Sequence, residues 1–322
     1  MVWDVVATVR EPIPLVLAFV AHHLKAGARC LHLYLDVPHD PVAGLLDGHP
    51  GVRLTRCDAT YWSARGGRPG VHVGRQLANA RDAAAQCRSD WLLHCDADEF
   101  LQHPRRLRRR LAEATDRHLC VRLRAWERCF VAPVPEAVFG GWQRGPLRDP
   151  ALTAEAYGAY ADLMPDGLSG YDGGKTLTRP GAGLVIDIHR SFHPTPSGKP
   201  DRNRPVETLV LDAPHLLHFD GLTARHTRRK MALRRAGRPL RAMPGRLRRE
   251  RGAQADLTLA EGADADALFL GLRMVQAPAV ARLQALDLLR PIGIDPARVA
   301  VKIWPQMAGA YDSAGFDRFD CP

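Results

Sequence analysis

Along the first hundred residues the apolar positions alternate between two kinds of pattern. Val2 to Val9 is a short run rich in valine that stops at Arg10-Glu11-Pro12, as expected of a strand buried on both faces. Ile13, Val16, Leu17, Val20, Ala21 and Leu24 then recur at helical spacing, and Gly27 is placed to end that helix. Cys30 to Leu35 predicts a second strand stopping at Asp36, and Val52 to Thr55 a short third. After a glycine-rich stretch at Gly66, Gly67 and Gly70, the residues Val73, Leu77, Ala80, Ala84 and Cys87 mark another helix. Trp91 to Cys95 is an apolar strand running straight into Asp96-Ala97-Asp98-Glu99-Phe100. Strands and helices alternating at this length predict parallel βαβ units. Ligands of open α/β sheets bind beyond the carboxyl ends of the strands, so Arg10-Glu11, Asp36 and Asp96-Asp98-Glu99 should converge on one cleft.

The pattern is weaker beyond residue 100. Cys120 to Ala125 reads as a strand leading to Trp126-Glu127-Arg128, Lys175 and Arg179 flank a short strand, and Ala263 to Leu289 reads as helical. Trp304, Tyr311 and Phe316 are scattered in a tail with no legible role. A chain of 322 residues, 46% hydrophobic and 25% charged, buries a sizeable core and is neither disordered nor a coiled coil. No basic-then-apolar leader opens the sequence, and Ile13 to Ala21 is too short to span a bilayer, so a soluble, cytoplasmic protein is expected. Seven cysteines without a C-x-x-C pair read as reduced core residues. The net charge of +10 falls in one place: Arg225 to Arg251 holds twelve Arg or Lys against Glu250 alone, +11, which leaves −1 for the rest. This run reads either as a surface for an anionic acceptor, a diphosphate or peripheral contact with an anionic membrane, or as a solvated arm. Without interleaved aromatics it is a poor binder of single-stranded nucleic acid, and no specific nucleic-acid partner is expected.

Three carboxylates within four residues repel one another if buried without a cation. Two aspartates at i and i+2 after a buried strand suit a hard divalent ion, Mn²⁺ or Mg²⁺, with substrate phosphates. Such an ion acts as a Lewis acid on a departing diphosphate. SGYDGGKT at Ser169 to Thr176 looks like a phosphate loop, but its first position is Ser169 and no buried strand leads into it. GLSGY has Tyr171 where a nucleophile elbow needs glycine, and no G-x-G-x-x-G follows the first strand.

WLLHCDADEFL resembles the metal-binding segment of family-2-like glycosyltransferases with the GT-A fold, in the subgroup reading W-hydrophobics-D-x-D-E-F-L. The opening VVATVREPIPLVLAFVAHHLKAGARCLHLYLD is similar to that subgroup's start, with its helix ending in two histidines. KTLTRP at Lys175 to Pro180, followed by His189, resembles its K-x-x-x-R-P segment, and HLLHFDGLTARHTRRK at His215 to Lys230 its closing H-Y-x-x-K-S…K element. Phe219 stands where the family commonly has Tyr, and Leu222-Thr223 replace the Lys-Ser pair. The resemblance covers roughly residues 2–235. It implies that Thr8, Arg10 and Glu11 line a base and ribose pocket with Asp36 near the base, and that Gln76 and Asn79 contact the nucleotide sugar. It also implies Asp98 as principal metal ligand, Asp96 on ribose or on the metal through water, and His218 as a further ligand of metal or diphosphate.

The expected architecture is therefore α/β: a GT-A-like nucleotide-diphospho-sugar transferase domain over 1–225, with a mostly parallel central sheet flanked by helices, and a basic, mostly helical C-terminal extension over 226–322. The expected reaction moves a sugar from a nucleotide-sugar donor to a hydroxyl of a glycan, lipid-linked or small-molecule acceptor, with inversion as the family's habit. Lys175 and Arg179 read as phosphate-facing cations or as solvated ones. Glu127, Asp187 and Asp220 are candidate bases, each of which also reads as an ordinary salt-bridging acid. Two rival readings are a nucleotidyltransferase using the same carboxylates and a non-catalytic protein that binds through the Arg-rich run.

Overall fold

The structure is a computed structural model, and it describes residues 1–237, 245–262, 264–320 and 322. Its first half is built as the apolar pattern predicts. Strand β1 (Trp3–Val9) leads to helix α1 (Ile13–Ala26), β2 (Leu31–Leu35), the short α2 (Ala43–Leu46), β3 (Val52–Arg56), the short α3 (Ala59–Ser63), α4 (His72–Gln86) and β4 (Trp91–His94). Strands β3, β2, β1 and β4 lie side by side in that order and all pair in parallel. Every residue of β1, β2 and β4 is buried, which is why these strands read as largely apolar runs. Pro14 is tolerated in the first turn of α1, where its missing N–H has no intrahelical partner to lose. Gly27 ends the helix at φ 101°, donating to the carbonyls of Leu24 and His23.

One charged residue breaks the run in β1. Asp4 is fully buried and receives hydrogen bonds from Arg29 at 3.1 and 2.9 Å, His32 at 3.2 Å and Ser89 at 2.6 Å. Its charge is therefore matched, as a buried carboxylate requires.

Beyond β4 the sheet becomes mixed, antiparallel strands joining the parallel part that the first four strands begin. The chain continues through β5 (Glu99–Leu101), α5 (Pro104–Glu113), β6 (Cys120–Cys129), β7 (Trp142–Arg144), α6 (Pro150–Tyr157), β8 (Lys175–Thr178), β9 (Val185–Ile186), β10 (Ser191–Pro194), β11 (Pro200–Asp201) and β12 (Thr208–His218). Strand β8 runs antiparallel between β4 and β6, and β12 pairs parallel with β6 and antiparallel with β5. β4, β6 and β12 consequently end at one edge, and β8 starts there.

Past residue 225 the chain is mostly helical: α7 (Ala224–Gly237), α8 (Gly245–Leu259), α9 (Ala265–Gly271), α10 (Ala277–Ala285), α11 (Pro296–Ile303) and α12 (Ser313–Phe316), with β13 (Leu289–Pro291) pairing with β7. The helix expected over Ala263 to Leu289 is two helices instead, with Pro278 in the first turn of the second; residue 263 lies outside the described residues. The tail residues with no legible role belong to the main core. Ala300, Trp304, Tyr311 and Phe316 join the cluster around α1, and α11 packs on α1, so that α1 is apolar on nearly all sides. Among the described residues no helix is long and apolar enough to cross a membrane. The six described cysteines are free thiols, while Cys321 lies outside the described residues.

Candidate active site

The strand ends set the site. Thr8 is near the end of β1 and Arg10 and Glu11 follow it, Asp36 follows β2, Asp96 and Asp98 follow β4, Glu127 is near the end of β6, His218 ends β12, and Lys175 opens β8. Asp98 is at the centre. Its carboxylate, 3% exposed, bonds the Lys230 ammonium and lies 3.4 Å from His218 Nε2. The same ammonium is 3.3 Å from Asp220 and 3.6 Å from Glu11. Arg234 and Arg251 donate to Asp220 at 2.8 and 3.1 Å, and His226 bonds Glu11 at 2.7 Å.

Helix α7 turns one stripe of side chains onto these carboxylates. His226, Lys230 and Arg234 are spaced by four, and such residues share a helix face. This face is turned onto Glu11, Asp98 and Asp220, so the basic run is not simply a solvated arm; residues 238–244 of it lie outside the described residues. Two buried guanidiniums fix the turn that carries Asp220 into α7. Arg128 donates to the carbonyls of Gly221 and Leu222, at 3.2 and 2.8 Å, and Arg273 to that of Asp220. The stripe went unrecognised because its spacing is hidden inside a run of like charges.

Asp96 is held apart from this group. Gln76 donates to one oxygen at 2.6 Å and Lys175 to the other at 2.7 Å, while the Asp96 N–H bonds Glu99 at 2.8 Å. The three carboxylates are thus tolerated side by side because two lysines and a histidine face them. Burial raises the Glu99 acid to about 7, with Lys175 working against it. Burial also opposes ionisation of Asp98, but Lys230 and His218 overcome it and hold its pKa well below the usual range. Burial alone would lower His218; Asp98 and Asp220 instead push it up to about 9.

The fit to a divalent cation can be judged on these residues. Asp98, His218 and Asp220 each offer a ligand atom within 4.8 Å of the others, and Asp98 Oδ1 is buried with no hydrogen-bond partner. One imidazole and two carboxylates suit Mn²⁺ or Mg²⁺ among other divalent ions. Asp96, expected among the ligands, accepts from Gln76 and Lys175, and Asp220, expected as a base, stands with Asp98 and His218 while accepting from Arg234 and Arg251. A ligating His218 must first give up its proton. A second group, Asp4 with His32 and Cys87, has comparable spacing, but there Arg29 and Ser89 already satisfy the carboxylate.

The other expected residues divide. Thr8 accepts from Asn79 at 2.8 Å, and Asn79 accepts from Tyr61 at 2.8 Å, so this pair is placed beside the cleft by mutual bonding. Asp36 is saturated by Arg75 at 2.6 and 2.8 Å, Arg68 at 2.9 Å and His72 at 3.6 Å. Arg10 donates to the Pro322 carbonyl at 2.9 Å. Glu127 lies inside β6, where it accepts from Arg144 at 2.6 Å and twice from Ser169 at 2.8 Å. Asp187 stands apart, 3.6 Å from Arg202. Arg179 is at the other edge of the sheet: β8 is antiparallel to β4, so Lys175 and Arg179 point to opposite ends, and Arg179 bonds the His118 carbonyl and covers Trp91. His189, from the resemblance, holds the Gly174 carbonyl at 2.9 Å next to Lys175.

No protein-family model matches the chain, and no curated protein matches it. Solved structures do match. Staphylococcus aureus TarS 1–349 is 10% identical, over 84% of this chain and 72% of that one, at a TM-score of 0.35. A CMP:2-keto-3-deoxy-manno-octonic acid synthetase complexed with CTP is 16% identical at a TM-score of 0.28; the match covers 39% of this chain and about half, 53%, of the synthetase. A mannose-1-phosphate geranyltransferase from Thermus thermophilus is 15% identical over 56% of this chain and 58% of that one, at a TM-score of 0.30. Likeness at this level leaves the geometry of the site as the ground for a functional reading.

Proposed function

We propose that the chain is a metal-dependent, family-2-like glycosyltransferase that moves a sugar from a nucleotide diphosphate to an acceptor hydroxyl, with inversion. One observation carries this reading: Asp98, on the loop after a buried parallel strand, meets His218, Asp220 and a bank of cations at the carboxyl edge of the sheet while keeping one buried oxygen unpartnered. A divalent ion bound there supplies Lewis-acid stabilisation of charge on a leaving diphosphate. Lys175 fixes Asp96, and Lys230, Arg234 and Arg251 place further positive charge at the same edge, the arrangement needed where an anion develops. Residues 226–322 complete the 1–225 domain in this reading, because α7 and α8 bring cations to its cleft.

Thermal melts with a panel of nucleoside diphosphates and nucleotide sugars, with and without Mn²⁺, test it. One nucleoside diphosphate should raise the melting temperature of the native protein only with metal, by the equivalent of about 2.7 kcal/mol at a hundredfold excess over Kd. Asp98→Asn should abolish the shift. No shift with any donor on a folded protein overturns the reading, and release of pyrophosphate in place of a nucleoside diphosphate replaces it with nucleotidyl transfer.

A further inference from the structure

The Lys230 ammonium and a divalent ion would draw on the same oxygens. Lys230 Nζ bonds Asp98 Oδ2 and stands 3.3 Å from Asp220 Oδ1, and those two carboxylates with His218 are the group that suits a metal. An ammonium has three N–H donors, and here they are shared among Asp98, Asp220 and Glu11. This leaves Asp98 Oδ1 buried and without a partner, although Asp98 is only 3% exposed. A divalent ion held by the same oxygens would lie within a few ångströms of the Lys230 ammonium and repel it strongly.

We propose that Lys230 is a tethered cation, seated among the oxygens that would hold a divalent ion, which that ion must displace in order to bind. The side chain that would leave has somewhere to go. Glu11 Oε1 lies 3.6 Å from Nζ, and Glu11 is itself oriented by His226 at 2.7 Å. A flexible four-carbon stem can swing from Asp98 toward Glu11 and keep an ion pair throughout. Removing Asp98 and Asp220 from Lys230 also loosens what holds the α7 stripe over the cleft, since Arg234 shares Asp220. Metal affinity is therefore set by a residue that is not a ligand. The inference rests on the reading of Asp98, His218 and Asp220 as a cation site, and it holds whether or not the protein transfers sugars.

Its test is Mn²⁺ binding alone, without nucleotide, read from the paramagnetic resonance signal of free Mn²⁺. Native protein should bind weakly, and Lys230→Met should bind one ion per chain at least about tenfold more tightly, because a unit charge a few ångströms away has been removed. Lys230→Arg, which keeps the charge, should stay weak, and Asp98→Asn should lose binding in either background. Equal or weaker affinity in folded Lys230→Met overturns the proposal. Should Lys230→Met and Lys230→Gln not fold without metal, recovery of folded protein when Mn²⁺ is present supports it, and failure of Mn²⁺ to rescue either variant overturns it. Tight Mn²⁺ binding by Lys230→Met with no response to any nucleotide would sink the transferase reading and leave this one standing.

Discussion

Position 127 shows how a residue's neighbours decide its chemistry. A glutamate at the end of an apolar strand looks available for proton transfer, yet Glu127 is 3% exposed and each of its oxygens is taken. Arg144, its partner, is buried too; it donates to the Leu272 carbonyl at 2.8 Å and lies over the Tyr157 ring. Breaking such a pair leaves an uncompensated charge in the interior, which costs more than the pair contributes. Glu127→Gln is therefore expected to destabilise the fold by about 3–5 kcal/mol in guanidinium unfolding, whereas Glu127→Met with Arg144→Met together should recover most of that loss. A Glu127→Gln protein as stable as the native one would mean that Arg144 is not held by this charge. The acids at 36 and 220 carry the same lesson, since cations from distant elements consume both.

Among the elements, those buried on both faces were the legible ones. The strands at Trp3–Val9, Leu31–Leu35 and Trp91–His94 and the helix at Ile13–Ala26 have the apolar continuity that burial demands, and the acidic motif was placed by the strand before it. β6 extends to Cys129, past the expected end at Ala125, because Glu127 and Arg128 are charged residues whose partners are far away in sequence. The basic run that holds α7 reads equally as an anion-binding surface or a solvated arm for the same reason: a local pattern does not show which acids it will face. β8 shows what an element contributes through its entry. Gly174 sits at φ 63° just before Lys175, and a Cβ there would lie 1.9 Å from the Leu123 carbonyl oxygen. Gly174→Ala should push β8 off β6, cost more than about 2 kcal/mol in denaturant unfolding and weaken the Asp98-dependent metal response by displacing Lys175 from Asp96. Gly66→Ala, at φ 82° with nothing within 4 Å of the added carbon, isolates the backbone cost and should lose only about 1 kcal/mol. If the two variants cost the same, the contact with Leu123 is not what fixes β8.

At the scale of the molecule, charge is spread more widely than the linear count of +10 suggests. Arg225 and Arg229 of the basic run meet Asp320, Arg235 meets Asp256, and α5 presents a second cluster of five arginines with Glu113 as partner to two. What dominates the response to pH is instead a set of buried histidines. His22 and His23 donate to the carbonyls of Leu101 and Glu99, tying α1 to the strand that follows the acidic motif, and His215 is stacked on Trp126. Burial pushes them down to about 4, 3 and 3 respectively. Below pH 6.5 the unfolded chain binds protons at these positions and the folded one does not, so stability falls with pH, by up to about 1.4 kcal/mol per unit for each group. His218 has the opposite sign. Asp98 and Asp220 raise it to about 9 against the effect of burial, so its contribution is complete below 6.5 and is lost as pH climbs toward 9. Stability should therefore peak near pH 6.5, with the acid limb steeper than the alkaline one: His94 and His189, lowered by burial to about 4, act with these three, while Glu99, raised to about 7, acts with His218 against them. Melting curves from pH 4.5 to 9.5 measure this directly. His22→Gln with His23→Gln, which replaces titrating donors by one that does not titrate, should flatten the acid limb, and His218→Asn should flatten the alkaline limb alone. A melting temperature that stays level down to pH 5 would show that the two histidines holding α1 to β5 admit protons, and with them water, more easily than their burial allows.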